Sequence, residues 1–484
     1  MARNKYKNLI SNTVIFAIGS FGSKLMMFLL VPLYTGVLAT SEYGVATLLA
    51  DTANMILPIV TVSMYHGILR FGLDRATHKS DVFTVAMTVN MIGFGGFITL
   101  YPLLKYVVFV GRFQPLGDHI LLLYFYVFAS SMNSLCGCFV RAKGQVKLYA
   151  VDGIFNTACL VGCNLLFLLV FKWGVVGYIL STIIADALST VFLFFTAGLK
   201  RYIRFGHVEK GTYRKMIVFS LPMIPNSLFW WVTNLSDRFM ITGMISSSAN
   251  GIYSAAAKLP NLINTIAGIF SQAWQMSAIT EYDRNDSRFY GKVFAVYQTV
   301  VFLSGGFLIF LTKPIISVWL DDAYYSAWEY VPFLVLSIVF SCFAGFYSSI
   351  YMAMKKNVRS MLTTMLGAIS NVALNLLLIP RIGIQGAAVA TFFSYLIVYV
   401  TRAVDISRLY RFQDSSGKVV VNTLIVLAES LTLLYYRGNF YILGTAEFLL
   451  LILFNAPELI NITKQFWSAG KRMLESRRRG NREV

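Results

Sequence analysis

Apolar runs of about 20 residues recur along the whole of this 484-residue chain, separated by short polar connections. A run of that length, wound as a helix, crosses the ~30 Å hydrocarbon core of a bilayer. Fourteen segments read this way: 10–36, 45–69, 82–109, 119–140, 148–171, 175–199, 215–243, 252–280, 292–312, 328–352, 360–380, 384–404, 419–436 and 440–463. The pattern predicts an all-α, polytopic membrane protein of about 14 transmembrane helices and no water-soluble domain. The basic opening, MARNKYKNLISNT, resembles the start of a signal peptide. The apolar run behind it is long, contains Lys24 and shows no small-residue cleavage site, so it reads as an uncleaved first span. Pro32 late in the first span, and Pro222 and Pro225 in the first turns of the seventh, mark either kinks or simple helix-start punctuation.

The pattern repeats. Asn12, Thr13, Lys24 and Met26 align with Asn226, Ser227, Arg238 and Met240. After a turn that is shorter in the second copy, Gly44, Thr47, Ala50, Asp51, Asn54 and Ile56 align with Gly251, Ser254, Ala257, Lys258, Asn261 and Ile263. Further on, the segment 141–147 parallels 353–359, and Gly174-x-x-Gly177 parallels Gly383-x-x-Gly386. The order of these matches divides the chain into two six-helix units, 1–210 and 211–415, two added helices in 416–463 and a basic tail in 464–484. An even number of spans gives both units the same orientation. They would then be related by an axis along the membrane normal, with a central cleft between them, which is a transporter architecture.

Composition agrees. The chain is 57% hydrophobic and 13% charged, about half the charge of an ordinary soluble domain. The formal net charge of +19 invites a nucleic-acid reading, but its placement excludes it. Of 41 Lys and Arg residues, 32 fall on one side of the alternating loops and 6 on the other, leaving only Lys24, Arg238 and Lys258 inside spans. That bias places both termini in the cytoplasm. The tail after Lys464 reads as a solvated basic end near anionic lipid head groups. The five cysteines lie in apolar segments without metal-ligand spacing, so neither a metal site nor a disulfide is expected.

Charges inside apolar helices carry the candidate chemistry, because a charge at the bilayer centre costs ~3 kcal/mol on insertion scales. Lys24, Arg238 and Lys258 fall at such depths, with Asp51 and Asp237, and Arg70 stands at the inner end of the second span. Two readings stay open. Asp237–Lys258 and Asp51–Lys24 could be neutral pairs that lock helices together, or the cations line the cleft and meet an anionic substrate. Asp186, Glu429 and Glu447 are the interior carboxyls that could serve a coupling ion, H+ or Na+, and each is also explained by a hydrogen bond between helices. No Walker loop, HExxH or GxSxG occurs, so neither catalysis nor a cofactor is expected.

Several motifs carry a resemblance: Phe219-Ser220-Leu221-Pro222, Asp237-Arg238, the run Gly251-Ile252-Tyr253 leading to Lys258, Glu42-Tyr43-Gly44 and Gly383-Ile384-Gln385-Gly386. Through them the chain resembles the polysaccharide biosynthesis flippases of the multidrug/oligosaccharidyl-lipid/polysaccharide exporter superfamily, over essentially its whole length. The resemblance implies two six-helix bundles around a V-shaped cleft, plus two C-terminal helices. It implies an undecaprenyl-diphosphate-linked oligosaccharide moved from the inner to the outer leaflet of a bacterial cytoplasmic membrane. Lys24, Arg238, Lys258 and Arg70 would then be head-group ligands, with Asp51 and Asp237 as charge partners. Membrane lipids, glycosyltransferases and a glycan polymerase are the implied partners of a monomer that does not bind nucleic acid. A multidrug-type antiporter is the alternative. A peptidoglycan-precursor flippase is less favoured, because the first bundle offers only Lys24 and Arg70 where those proteins carry several arginines.

Overall fold

The computed structural model describes residues 26–74, 77–204, 210–283, 287–354, 356–409 and 416–460. Most of the expected first span, with Lys24, and the basic tail lie outside the described residues. Among the described residues the regular structure is helical throughout. Ten helices are long and apolar enough to cross a membrane: Thr40–Val60, Lys79–Thr99, Ile120–Ala142, Val146–Val170, Gly174–Thr196, Phe289–Phe310, Val331–Ala353, Val358–Ile382, Ile384–Leu409 and Gly417–Tyr435. Gly211–Phe229 and Trp231–Met244 make an eleventh that bends by 45°. The protein is therefore a multi-pass membrane protein. Helices suit such segments because each backbone N–H and C=O is satisfied within its own segment, where lipid offers no partner.

Two expected spans differ in detail. The second is interrupted after Thr40–Val60 by Val62 and Ser63, both at φ 49°, and resumes as Met64–Gly72. The eighth is split into Ser247–Ala256 and Asn261–Asp283. Pro260 accounts for the split: it has no N–H to donate and pushes the preceding residue out of helical geometry. Hydropathy averaged over a whole span does not register either break, because a few polar residues leave the run apolar overall.

The chain forms two compact units. The first takes the described residues up to Lys258, together with Ser317–Ala327 and Asn371–Ala387. Its apolar interior is built by Leu48, Ile56, Leu123, Val127 and Ile179 in one cluster and Phe83, Phe139, Ile68 and Leu199 in another. A polar cluster holds the fourth to sixth spans together. Asp186 accepts from Ser130, from Asn133 Nδ2 (2.9 Å) and from Asn156 Nδ2 (3.0 Å), and Ser189 donates to Asp152 at 2.6 Å. Such interhelical bonds replace the hydrophobic drive that lipid removes. The second unit takes Leu259–Ile316, Trp328–Ser370 and the described residues from Ala388 onward. Its interior is aromatic, with Trp274 stacked on Phe346 at 4.2 Å and Phe294, Phe340, Phe343 and Tyr399 packed in series.

Residues aligned across the proposed repeat meet in the first unit. Gly44 and Gly251, which align in the sequence, lie against each other. A Cβ on Gly44 would overlap the Ser247 carbonyl oxygen, and a Cβ on Gly251 would overlap that of Thr40. Thr47 donates to its counterpart Ser254 at 3.3 Å, and Asn250 donates to the Gly44 carbonyl at 2.8 Å. The second and eighth spans thus meet backbone to backbone through repeat-related small residues, the usual device for close helix approach in membranes. The other glycine motif behaves alike in both copies. Gly174 and Gly383 take φ +53° and +62°, which only glycine adopts freely. Gly177 and Gly386 sit where a side chain would press on Phe167 and Leu378.

Gly44→Val and Gly251→Val should therefore each lower the melting temperature of the detergent-extracted protein, by the equivalent of at least ~1–3 kcal/mol of overpacking. Gly95→Ala, where the added Cβ meets nothing within 4 Å, should melt like wild type. Equal melting of all three variants would show that the helix contact is not tight.

Candidate functional site

Asp237 and Arg238 are neighbours in sequence, but successive residues on a helix point about 100° apart, and the two side chains go to different partners. Arg238 Nη1 lies 2.6 Å from Asp51 Oδ2, with the two side chains only 12% and 11% exposed. This ion pair joins the seventh span to the second. Trp231, two turns before Arg238, donates its indole N–H to the Asp51 main-chain carbonyl at 3.0 Å and fixes that stretch of the second span. Asp237 is buried and faces the other way. It accepts from Tyr253 Oη at 2.7 Å and from Asn375 Nδ2 at 2.6 Å. Asn375 also donates to Asn371, which accepts from Ser236 at 2.9 Å. The seventh span is thereby tied to the second, the eighth and the eleventh by polar contacts placed one residue apart.

Of the two pairings weighed from the sequence, Asp237–Lys258 is not found among the described residues, and Asp51–Lys24 involves a residue outside them. Asp51 pairs with Arg238 across the repeat. The ammonium of Lys258 makes no hydrogen bond or ion pair among the described residues, although it is within electrostatic reach of Arg238 and Asp51. Lys258 is partly buried and stands at the end of Ser247–Ala256, in the turn that Pro260 enforces. A cation left without a partner at membrane depth must face water or an anion, since an isolated buried charge costs several kcal/mol. Arg238 presents the same opportunity, because its bond to Asp51 occupies one of five guanidinium N–H donors.

Tyrosines enclose this cluster. Tyr34 and Tyr178 have ring centroids 4.7 Å apart, and Tyr43 lies 6.2 Å from Tyr178 and 6.0 Å from Tyr324. Tyr43 is within electrostatic reach of Arg238 and Asp51, and its buried hydroxyl has no hydrogen-bond partner among the described residues. The sequence pattern gave these rings, Trp231 and Tyr253 no role in the site, and it marked Asn375 only as the repeat counterpart of Asn164. Tyr43 and Tyr253 lie inside the motifs Glu42-Tyr43-Gly44 and Gly251-Ile252-Tyr253, so a signal existed. Trp231, Tyr34, Tyr178 and Tyr324 look like ordinary apolar filling.

The remaining candidates are placed as follows. Lys24 lies outside the described residues. Arg70 is exposed on Met64–Gly72, beyond the interruption at Val62 and Ser63, and no hydrogen bond or ion pair joins it to the cluster. Asp186 has its oxygens occupied by Ser130, Asn133 and Asn156 within its own bundle. Glu429 and Glu447 belong to the second unit, in the last two helices.

The fold is that of polytopic transporters of the MOP superfamily. It superposes on "Lipid II flippase MurJ, inward closed conformation" with a TM-score of 0.71 at 12% identity, covering 94% of this chain and 99% of that one. An inward-facing multidrug resistance MATE family transporter aligns with a TM-score of 0.66 at 13% identity, covering 81% and 98%. A MOP superfamily transporter from Pyrococcus furiosus, for which a reverse polarity of the binding pocket suggests a different function, aligns at 0.59 and 13% identity, covering 83% and 95%. The sequence matches the polysaccharide biosynthesis protein family over residues 9–275, more than half its length, and the chain belongs to that family. No curated protein matches it by sequence.

The ion pair is open to a direct test. Asp51→Asn leaves the Arg238 charge without its partner and should destabilise the protein by ~3 kcal/mol. Adding Arg238→Gln should recover part of that loss, so the double variant melts above Asp51→Asn alone. Additive losses in a double-mutant cycle would mean that the two side chains do not interact.

Proposed function

We propose that the protein is a flippase for polyprenyl-diphosphate-linked oligosaccharides, moving them from the inner to the outer leaflet by alternating access. The observation that carries this reading is the ammonium of Lys258, without a hydrogen-bond or ion-pair partner among the described residues, beside the Arg238–Asp51 pair. A diphosphate brings concentrated negative charge and several acceptor oxygens. Lys258 supplies a point charge and Arg238 a rigid fork of donors, the two chemistries that bind phosphate best. Asp51 holds the guanidinium in place and limits the net positive charge, which allows the ligand to leave again. The tyrosine rings nearby offer flat apolar faces with hydroxyl edges, suited to sugars.

Membership of the polysaccharide biosynthesis family supports a glycan-linked cargo, and the fold shared with a lipid II flippase supports a lipid-linked one. The charge bias of the loops supports cytoplasmic termini in a bacterial inner membrane. The enzymes that build and polymerise the glycan are the natural partners. We read the protein as non-catalytic, since flipping breaks no bond, with H+ or Na+ as the coupling ion. A multidrug antiporter is the second reading, and the cationic character of the cluster disfavours it for cationic compounds. A peptidoglycan precursor is disfavoured because the head-group candidates of the first bundle are only Lys24 and, at its edge, Arg70.

In a strain lacking the gene, Lys258→Ala should reduce surface glycan at least tenfold relative to wild type at equal membrane protein level. Lys258→Arg should retain export, and drug susceptibility should not change. Full glycan export by Lys258→Ala, or altered drug susceptibility with intact glycan, would overturn the reading.

A further inference from the structure

The last two helices, Ser416–Tyr435 and Phe440–Phe454, form an antiparallel hairpin around the turn at 436–439. They pack on each other and on Ser287–Phe310 of the ninth span. Their shared face carries a series of polar residues. Lys418 pairs with Glu458 at one end. One turn further, Asn422 and Asn455 exchange amide bonds at 3.2 and 2.7 Å, and Thr299 of the ninth span donates to Asn455 at 3.1 Å. Val426 and Leu451, both fully buried, then interrupt the series. Beyond this apolar plug stand Glu429 and Glu447, ~10 Å from the turn on their respective helices at 1.5 Å per residue.

Lys418, Glu458, Asn422 and Asn455 meet partners of complementary chemistry, and Glu429 does not. It is 0% exposed, and neither of its carboxyl oxygens has a hydrogen-bond partner among the described residues. One oxygen of Glu447 is also without a partner, while the other accepts from Thr432 at 2.8 Å. The ninth span presents Gly306 at this level, and a Cβ there would meet Glu429 Oε2 at 3.1 Å, so the glycine leaves the carboxyl its space. Glu447 is the charged group that acts on Glu429. Tyr435 and Tyr441 lie six residues, ~9 Å along their helices, from Glu429 and Glu447, and other titratable groups of the packed helices are engaged elsewhere. Tyr290 donates to the Ala278 carbonyl, Tyr297 to that of Cys342 and Tyr351 to Asp405, while Lys292 lies ~20 Å along the helix from Gly306.

Two carboxylates cannot face each other as bare anions in a dry interior without donors, because desolvation and mutual repulsion both oppose it. We propose that Glu429, with Glu447, forms a binding site for one small monovalent cation, a proton or an alkali metal ion, within the C-terminal hairpin. The site is separate from the Asp51–Arg238–Lys258 cluster and does not depend on the substrate assigned to it. The Val426–Leu451 plug closes it toward Asn422 and Asn455, so exchange is directed toward the end that carries the 436–439 turn.

The full-length protein in nanodiscs at neutral pH provides the test, with protons and Na+ as the two probes. Infrared difference spectra in H2O and D2O read the protonated carboxyl C=O band, and melting temperature against Na+ concentration reads metal binding. A D2O-sensitive carboxyl band lost in Glu429→Gln assigns the proton. A saturable Na+-dependent rise in melting temperature lost in Glu429→Gln assigns the metal ion. Either result supports the site. Wild-type protein with neither the band nor the Na+ response overturns it, whether or not the variant folds. A signal of either kind that persists unchanged in folded Glu429→Gln and Glu447→Gln also overturns it.

Discussion

A charge that enters a lipid bilayer has to be neutralised, hydrated or bound, and the first compact unit is arranged around that constraint. Arg238 sits well inside the seventh span, and Asp51 reaches it from the second span at 2.6 Å. The pair decides which faces of these helices meet. Trp231 then holds the Asp51 backbone, and Asp237, turned away on the same helix, bonds Tyr253 and Asn375. Removing either charge would leave the other stranded, which costs more than the pair contributes. Lys258 is the remainder. Its ammonium has no hydrogen-bond or ion-pair partner among the described residues, which leaves it binding to offer.

The Gly44–Gly251 contact gives this arrangement its dimensions. Repeat-related glycines bring the second and eighth spans to backbone contact, with Asp51 and Lys258, also repeat-related, seven residues further along each chain. The two copies then diverge. The second span runs on as helix through Asp51 to Val60, whereas the eighth ends at Ala256 and Lys258 lies in the turn that contains Pro260. One position of the repeat therefore holds a carboxylate bound within a continuous helix, and the other an ammonium at a helix end.

Much of this was legible in the sequence. Twenty-residue apolar runs located the spans, because membrane thickness fixes helix length. Intramembrane charges named Arg238, Lys258 and Asp51, because their cost demands a reason. Aligned glycines predicted equivalent positions, and Gly174 with Gly383 share both a motif and a left-handed backbone. Pairing was not legible. Asp51 is 187 residues from Arg238, and nothing local distinguishes it from Asp237 as a partner. The tyrosines around the cluster were hidden for another reason: in an apolar helix a tyrosine that lines a polar site has the same hydropathy as one that faces lipid. The break at Pro260 was hidden in plain view, since one proline in an apolar run is compatible with a kink as well as a break.

The central claim is that Lys258 and Arg238 form the anion-binding element of this unit. Equilibrium binding of undecaprenyl diphosphate to the purified full-length protein in nanodiscs, against undecaprenol as the uncharged control, tests it most directly. The expected result is saturable binding of the diphosphate alone, weakened at least tenfold, or ~1.4 kcal/mol, by Lys258→Ala and less by Lys258→Arg. Equal binding of the diphosphate by wild type and Lys258→Ala, or equal binding of diphosphate and undecaprenol by wild type, would contradict it.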